Sequence, residues 1–351
     1  MKLVFFAFKH RYRYKDLNNF LYSRLYGKYF LLNLGGPFKH FVAKILLNTN
    51  FGFAISCDAR PVIKNKKSGI NFFIRGINLN IPTNFRHLDN NFVSIKNPFV
   101  EEKNIFQIYP INITYSKINR EPKIIFIGGA NIDINNEQKI LWEKCKKEVL
   151  NDFTILDKKS FWKKYLGENN IKNIFIFYKK FKLLLRYEII KYLKKNFDEK
   201  FILIGDDWKN YSINSLPSNF NPNYIKRLYK SNICLDFGSA EGSSSLYSRS
   251  NGIIEAGGLI LQSKQIDSTD IWGNLENKIT FKNFNDLEVI INKFLNNEDL
   301  SNDILLNIFK NFENSKNLIE KNFDKIFKNI WIFFLVGRVG YAPTTPAMSM
   351  Q

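Results

Sequence analysis

The sequence predicts an α/β protein built on a doubly wound parallel sheet, and three observations carry that prediction. From Lys123 onward, strand-like and helix-like stretches alternate, the order that a parallel sheet with crossover helices requires. Three of those strands, Lys123–Ile127, Phe201–Ile204 and Ile233–Phe237, run directly into glycine. The third leads into a Gly/Ser-rich loop, Gly238–Ser245, that opens a helix. In open α/β sheets such strand ends are where ligands bind. At 351 residues the chain is long for one hydrophobic core and fits two domains.

The N-terminal part reads as a strand (Lys2–Phe8), then a helix over Asp16–Tyr26 with Leu17, Phe20, Leu21 and Leu25 on one face. Strands follow at Tyr29–Leu34, ending in Gly35-Gly36-Pro37, and at Phe51–Ser56. From Asp58 the pattern is irregular, with strand-like pieces at Ile70–Ile74, Phe92–Ile95 and Ile105–Ile108. Tyr115–Pro122 is polar and ends in proline, so it reads as a linker between a domain over 1–118 and another over 123–330.

The second part is regular. Strand Lys123–Ile127 leads through Gly128-Gly129 to helix Asn136–Asn151. Apolar Asn173–Tyr178 reads as a strand, and helix Leu183–Asn196 feeds strand Phe201–Ile204, which stops at Gly205-Asp206-Asp207-Trp208. After strand Ile233–Phe237 come a helix ending at Gly257–Gly258, strand Leu259–Gln262, strand Lys278–Phe281, helix Asp286–Leu295 and a terminal helix over Asp303–Phe327. There is no internal sequence repeat. Gly337–Gln351 breaks the composition abruptly, with two prolines and no lysine or asparagine, and reads as a disordered tail without function.

The charge balance is 52 basic minus 32 acidic residues, or +20, with a pI near 9.6. The basic residues are spread through the chain rather than gathered in a block, and no nucleic-acid motif accompanies them, so no nucleic-acid partner is expected. Cys57, Cys145 and Cys234 and the histidines His10, His40 and His87 are scattered, without metal-ligand spacing. No metal is expected, and a reduced cytoplasm is the default. No apolar run approaches the roughly 18–20 residues that span a bilayer. The expectation is a cytoplasmic protein, with peripheral membrane contact left open.

Candidate site residues cluster around the glycine loops. The Ser243, Ser244 and Ser245 stretch precedes a helix start, where unpaired N–H groups and the helix dipole favour phosphate. Arg249, one turn inside that helix, is placed to clamp a diphosphate bidentately. An ordinary βαβ crossover with a polar loop would look the same. Gly128, Gly129 and Gly205 would let backbone approach a ligand, with Asp206 beside them. Gly205-Asp206-Asp207 also reads as a plain turn, Trp208 as a lid over the core, and Arg186 as part of a solvated helix face.

Three pieces of the second half resemble the C-terminal domain of the CgeB-like glycosyltransferases, the spore-maturation type within the GT-B superfamily. They are Lys123–Gly129 (KIIFIGG), the run from Arg186 to Trp208, and the run from Tyr224 to Gly258 with its Leu-Asp-Phe strand, Ser-Arg and Gly-Gly. The resemblance covers about residues 123–295. It implies two Rossmann-like domains, with the nucleotide-sugar donor in the C-terminal one and the acceptor, a glycan or lipid-linked precursor, on the 1–118 side. It implies a metal-independent, retaining displacement, with no cofactor beyond the nucleotide-diphosphate sugar as co-substrate. By the same resemblance, Arg249 and Ser243–Ser245 hold the diphosphate, Gly257 closes the pattern, and Glu255 hydrogen-bonds ribose or sugar hydroxyls and acts as the catalytic carboxylate.

The chain departs from the family at one point. The family places a Glu three residues after the Arg, where this chain has Gly252, and Glu255 lies one turn later. Either Glu255 reaches the same ligand group or the acidic contact is lost. The alternative that follows is a non-catalytic nucleotide-sugar-binding relative; from another class, the basic charge balance leaves a nucleic-acid-associated protein as a further alternative.

Overall fold

A computed structural model gives the fold. It describes residues 96–100, 107–168, 171–219, 221–240, 242–322 and 324, and in the earlier part of the chain the backbone of five strands. Those strands are β1 (Leu3–Phe6), β2 (Phe30–Asn33), β3 (Gly52–Cys57), β4 (Asn71–Arg75) and β5 (Asn91–Val93). All pair in parallel, in the order β2-β1-β3-β4-β5. The expected helix Asp16–Tyr26, the three histidines, Glu241 and the tail Gly337–Gln351 lie outside the described residues.

The second sheet contains β6 (Ile124–Ile127), β7 (Phe201–Ile204), β8 (Ile233–Asp236), β9 (Leu259–Ser263) and β10 (Thr280–Phe281), again all parallel, in the order β10-β9-β8-β6-β7. Read from the other edge, this is the strand order of the first sheet. In both, the second strand lies outside the first and the remaining strands continue on the other side. The chain is thus α/β, with a five-stranded all-parallel sheet flanked by helices. Each strand of the second sheet is a near-continuous apolar run because both faces are covered. Ile124, Phe126, Ile233, Leu235 and Leu259 are all buried.

The helices are α1 (Asn136–Asn151), α2 (Lys159–Leu166), α3 (Ile171–Phe197), α4 (Pro222–Tyr229), α5 (Ser248–Glu255), α6 (Ser268–Trp272), α7 (Glu276–Ile279), α8 (Phe284–Asn296) and α9 (Glu298–Phe312). α1 starts where a capping box sets it: Gln138 N–H donates to the Asn135 side chain, and Gln138 Oε1 accepts from Asn135 N–H. α1 to α3 make the crossover from β6 to β7, and Phe284 at the start of α8 stacks on Tyr192 of α3 at 4.5 Å. α4 and α5 belong to crossovers running the opposite way across the sheet, so right-handedness puts them on the other face. No helix among the described residues is long and apolar enough to cross a membrane.

The structure corrects several readings. Asn173–Tyr178 is not a strand. It forms the early turns of α3, where Ile174, Phe175, Tyr178, Phe181, Leu185 and Ile189 are buried at helical spacing. Residues 107–108 of the strand expected at Ile105–Ile108 have no regular structure. The strand expected over Lys278–Phe281 is reduced to β10, its first half being the end of α7. The terminal helix starts earlier, at Glu298, because Asn297 caps it by accepting Leu300 N–H at 2.9 Å.

The stretch read as a linker is bonded to the second sheet's body. Residues 107–119 run as a strap along α5. Asn251 Nδ2 donates to Ile108 O, Ile111 N–H to Glu255, Ser116 Oγ to Gly257 O and Asn119 N–H to Ser231 O.

Candidate functional site

The loops after β6, β7 and β8 meet at one edge of the second sheet. The switch point of the strand order lies between β6 and β8, where the chain leaves to opposite sides, the place where open α/β sheets bind ligands. The glycines there make a turn-on-turn contact. Gly128 N–H donates to Ile204 O at 2.8 Å and Ala130 N–H to Asp206 O at 3.1 Å. A Cβ on Gly205 would sit 2.2 Å from Gly128 O, and one on Gly129 would sit 3.3 Å from Asp206 O. Gly205 and Gly129 thus allow two backbone loops to touch each other, rather than admit a ligand as expected. Trp208 is fully buried and donates its Nε1–H to Gly128 O at 2.7 Å, which locks the turn.

Gly128 does face the site. A Cβ there would lie 3.0 Å from Arg249 Nη2 and 3.0 Å from the Phe126 ring. Its absence lets the Arg249 guanidinium lie over Phe126, 4.9 Å from the ring centroid. Arg186, from the middle of α3, approaches the same ring at 5.8 Å. Two guanidinium groups therefore converge at the end of β6. Asp236, the last residue of β8, is fully buried with its Oδ1 3.6 Å from Arg249 Nη1. That carboxylate is already well used. It accepts from the Tyr247 hydroxyl, from Gly238 N–H at 3.2 Å and from Gln262 Nε2 at 2.8 Å. Gln262 is in turn fixed by Trp272, whose Nε1–H it accepts at 3.1 Å.

Electrostatically the cluster is short of negative charge. Arg186 Nε and Arg249 Nη1 are buried without a hydrogen-bond acceptor. Burial, and then the positive charge of Arg249, push the Arg186 guanidinium down to about 10. Buried charge is tolerated when paired and hydrogen-bonded, and these two guanidiniums share one carboxylate whose oxygens are occupied. The arrangement has the chemistry of an anion site, with planar forks suited to phosphate oxygens.

The serine loop is held differently from the expectation. Ser243, Ser244 and Ser245 are all buried and bonded within the protein. Ser243 Oγ donates to Asp157 Oδ2 at 2.6 Å and accepts Ile266 N–H at 3.0 Å. Ser244 Oγ accepts Lys96 N–H at 2.7 Å. Ser245 N–H donates to Asp267 Oδ1 at 2.7 Å, and its hydroxyl meets that of Ser268 at 3.1 Å. These groups form the wall behind the site and not a phosphate cradle. Asp206 lies beside the glycine turns, where its Oδ1 accepts Ser218 N–H at 3.0 Å; that bond holds its carboxyl below the ordinary aspartate range.

Glu255 and Gly257 are not brought to this site. α5 runs antiparallel to the strands, so its last residue lies at the opposite edge, where β9 begins. There Glu255 Oε1 accepts Ile111 N–H at 2.9 Å. A Cβ on Gly257, at φ +75°, would meet Thr114 O and Ser116 Oγ at 2.5 Å. Both residues fasten the strap. A shallow cavity lies at that edge too, lined by Ile113, Tyr115, Ile254, Gly258 and Phe309 among others, away from the glycine loops.

Of the residues singled out in the sequence, the structure brings Arg249 and Gly128 together; Lys182, Asp157 and Asp236 were not singled out, and Arg186 was left open. A signal existed: Lys182 and Arg186 fall in line with Tyr178 and Ile190 at four-residue spacing, so two cations interrupt an apolar stripe. Compared with protein-family models, curated proteins and solved structures, the chain matches none.

Proposed function

We propose that the chain is a glycosyltransferase of the GT-B kind, with two Rossmann-like domains, that transfers a sugar from a nucleotide-diphosphate donor to a glycan or lipid-linked acceptor. The observation that carries the reading is the convergence of Arg186 and Arg249 on Phe126 at the switch point between β6 and β8. There a diphosphate would supply the missing negative charge, and the same guanidiniums would stabilise the charge that develops as the diphosphate leaves. The shared strand order of the two sheets adds support for a paired Rossmann-like architecture.

The test is titration of UDP, GDP and ADP into wild type and Arg249→Ala at one salt concentration. Wild type is expected to bind one of them, and the variant to bind it about ten- to a hundredfold more weakly, the worth of a charge-assisted contact. Lysine at 249 restores part of the affinity because it keeps the charge and loses the fork. Equal binding by the alanine variant removes Arg249 from the site, and no binding by wild type removes the reading. A second reading, a nucleotide-sugar-binding relative without catalysis, draws support from Glu255, whose carboxylate serves the strap at the far edge. Hydrolysis of the matching nucleotide sugar separates the two, since only an enzyme turns the donor over.

A further inference from the structure

Lys182 lies one helical turn before Arg186 on α3, and its side chain is only 7% exposed. Its nearest anion is Asp157, 6% exposed, with Oδ1 3.8 Å from the ammonium. That is too long for a hydrogen bond. Both oxygens of Asp157 are already taken, Oδ1 by the Tyr178 hydroxyl at 2.9 Å and Oδ2 by Ser243 Oγ at 2.6 Å. Among the described residues no hydrogen-bond acceptor reaches the Lys182 ammonium, which leans over the Tyr178 ring at 5.6 Å. A lysine with a buried stem and a counter-ion whose oxygens are already taken keeps its ammonium free to donate to a ligand.

Taken with its neighbours, the cluster holds three cations, the buried Lys182 and Arg186 and the partly exposed Arg249, against two carboxylates, Asp157 and Asp236. The cations are not equivalent in position. Arg186 and Arg249 share Phe126, whereas Lys182 is displaced along α3 by about 5–6 Å, the spacing of side chains four apart on one helix face. A single phosphate bound by the arginine pair would leave Lys182 unused. A diphosphate lying along α3 places a second anionic group within reach of the ammonium.

We propose that Lys182 is the residue that selects a diphosphate over a monophosphate at this site: the arginine pair takes one phosphate and Lys182 the next. For the biological ligand this rests on the nucleotide-diphosphate reading above; the geometry itself does not. On this proposal, donors carried on a single phosphate would leave one cation unmatched.

The experiment compares inorganic pyrophosphate with phosphate, and UDP, GDP and ADP with their monophosphates, by titration into the full chain. Wild type is expected to prefer the diphosphate member of a pair by about tenfold or more, the worth of one charge-assisted contact. Lys182→Met is expected to bring that ratio close to one while leaving monophosphate affinity unchanged, and Lys182→Arg to restore the preference. Arg249→Ala should instead weaken both members. Because Lys182→Met strands a buried carboxylate, the double variant with Asp157→Asn is measured alongside it, and melting curves identify any variant that fails to fold.

A diphosphate preference that survives in a folded Lys182→Met or double variant overturns the proposal, as does wild type binding phosphate and pyrophosphate equally. The two readings fail separately. Pyrophosphate selectivity lost with Lys182, but without affinity for any nucleotide, sinks the glycosyltransferase reading alone. Tight nucleoside-diphosphate binding indifferent to Lys182 sinks the selector alone.

Discussion

Trp208 and Asp267 are two side chains whose environments make measurable demands. The Trp208 indole fills the core beneath the glycine turns and spends its one donor on Gly128 O. Trp208→Phe keeps most of the ring and leaves that carbonyl unpaired, so it should cost about 1–3 kcal/mol in urea unfolding. It should also loosen nucleotide binding, because Gly128 sets the height of Arg249 over Phe126. Asp267 is buried, with Oδ2 unpartnered. Burial raises its carboxyl above the ordinary aspartate range, although the Ser245 hydrogen bonds and Lys96 pull the other way. A folded-state pKa above the unfolded one means that the native state holds the extra proton. The resulting stability is full below the unfolded pKa and is lost as pH rises through the folded one. Asp267→Asn keeps an oxygen for Ser245 N–H and removes that loss. Its melting temperature relative to wild type should therefore climb from pH 4 to pH 7. A difference that stays flat with pH would show the carboxyl to be unperturbed.

Among the elements, the glycine turns and α5 give the clearest contrasts. Gly205→Ala drives a methyl into Gly128 O at a φ of +156°, with backbone on both sides, and should cost about 2–3 kcal/mol or more. Glu255→Ala should lower stability by about 1–3 kcal/mol by stranding Ile111 N–H, yet leave nucleotide affinity unchanged, since the group is a helix-length from the arginines. A loss of affinity at equal stability would return Glu255 to the site.

Legibility followed the same division. Strand–glycine junctions and the capped α1 were readable because local chemistry decides them. The early turns of α3 were not, since Asn173–Tyr178 is a short apolar run that periodicity cannot assign, and burial on a broad face chose helix. The serine loop carried a phosphate-loop composition, but whether its hydroxyls face a ligand or Asp157, Lys96 and Asp267 depends on tertiary partners distant in sequence. Arg186 looked like solvated charge, and Lys182 was passed over, because a cation taken singly in a helix carries no mark of its burial.

At the scale of the whole molecule, the strap matters most. Residues 96–100 and 107–119 are bonded to the loop, helix and strand edge of the second sheet: Lys96 to Ser243 and Ser244, Gln107 Nε2 to Leu246 O, and Ile118 N–H to Asn302. Ile108, Ile111 and Ile118 are buried. By physical attachment this segment is part of the body that holds the arginines, although in sequence it precedes the first strand of that body. Dissecting the chain therefore has a right and a wrong place to cut. A fragment beginning at Lys96, or a few residues earlier, carries its own covering for α5. One beginning at Lys123 strips the covering away, exposing apolar surface at Ile254 and removing Ile108 O from Asn251 Nδ2, Ile111 N–H from Glu255 and Lys96 N–H from Ser244 Oγ. Expressed separately, the longer fragment should melt cooperatively and the shorter one should aggregate, and adding a synthetic peptide of residues 96–119 should bring the shorter one back into solution.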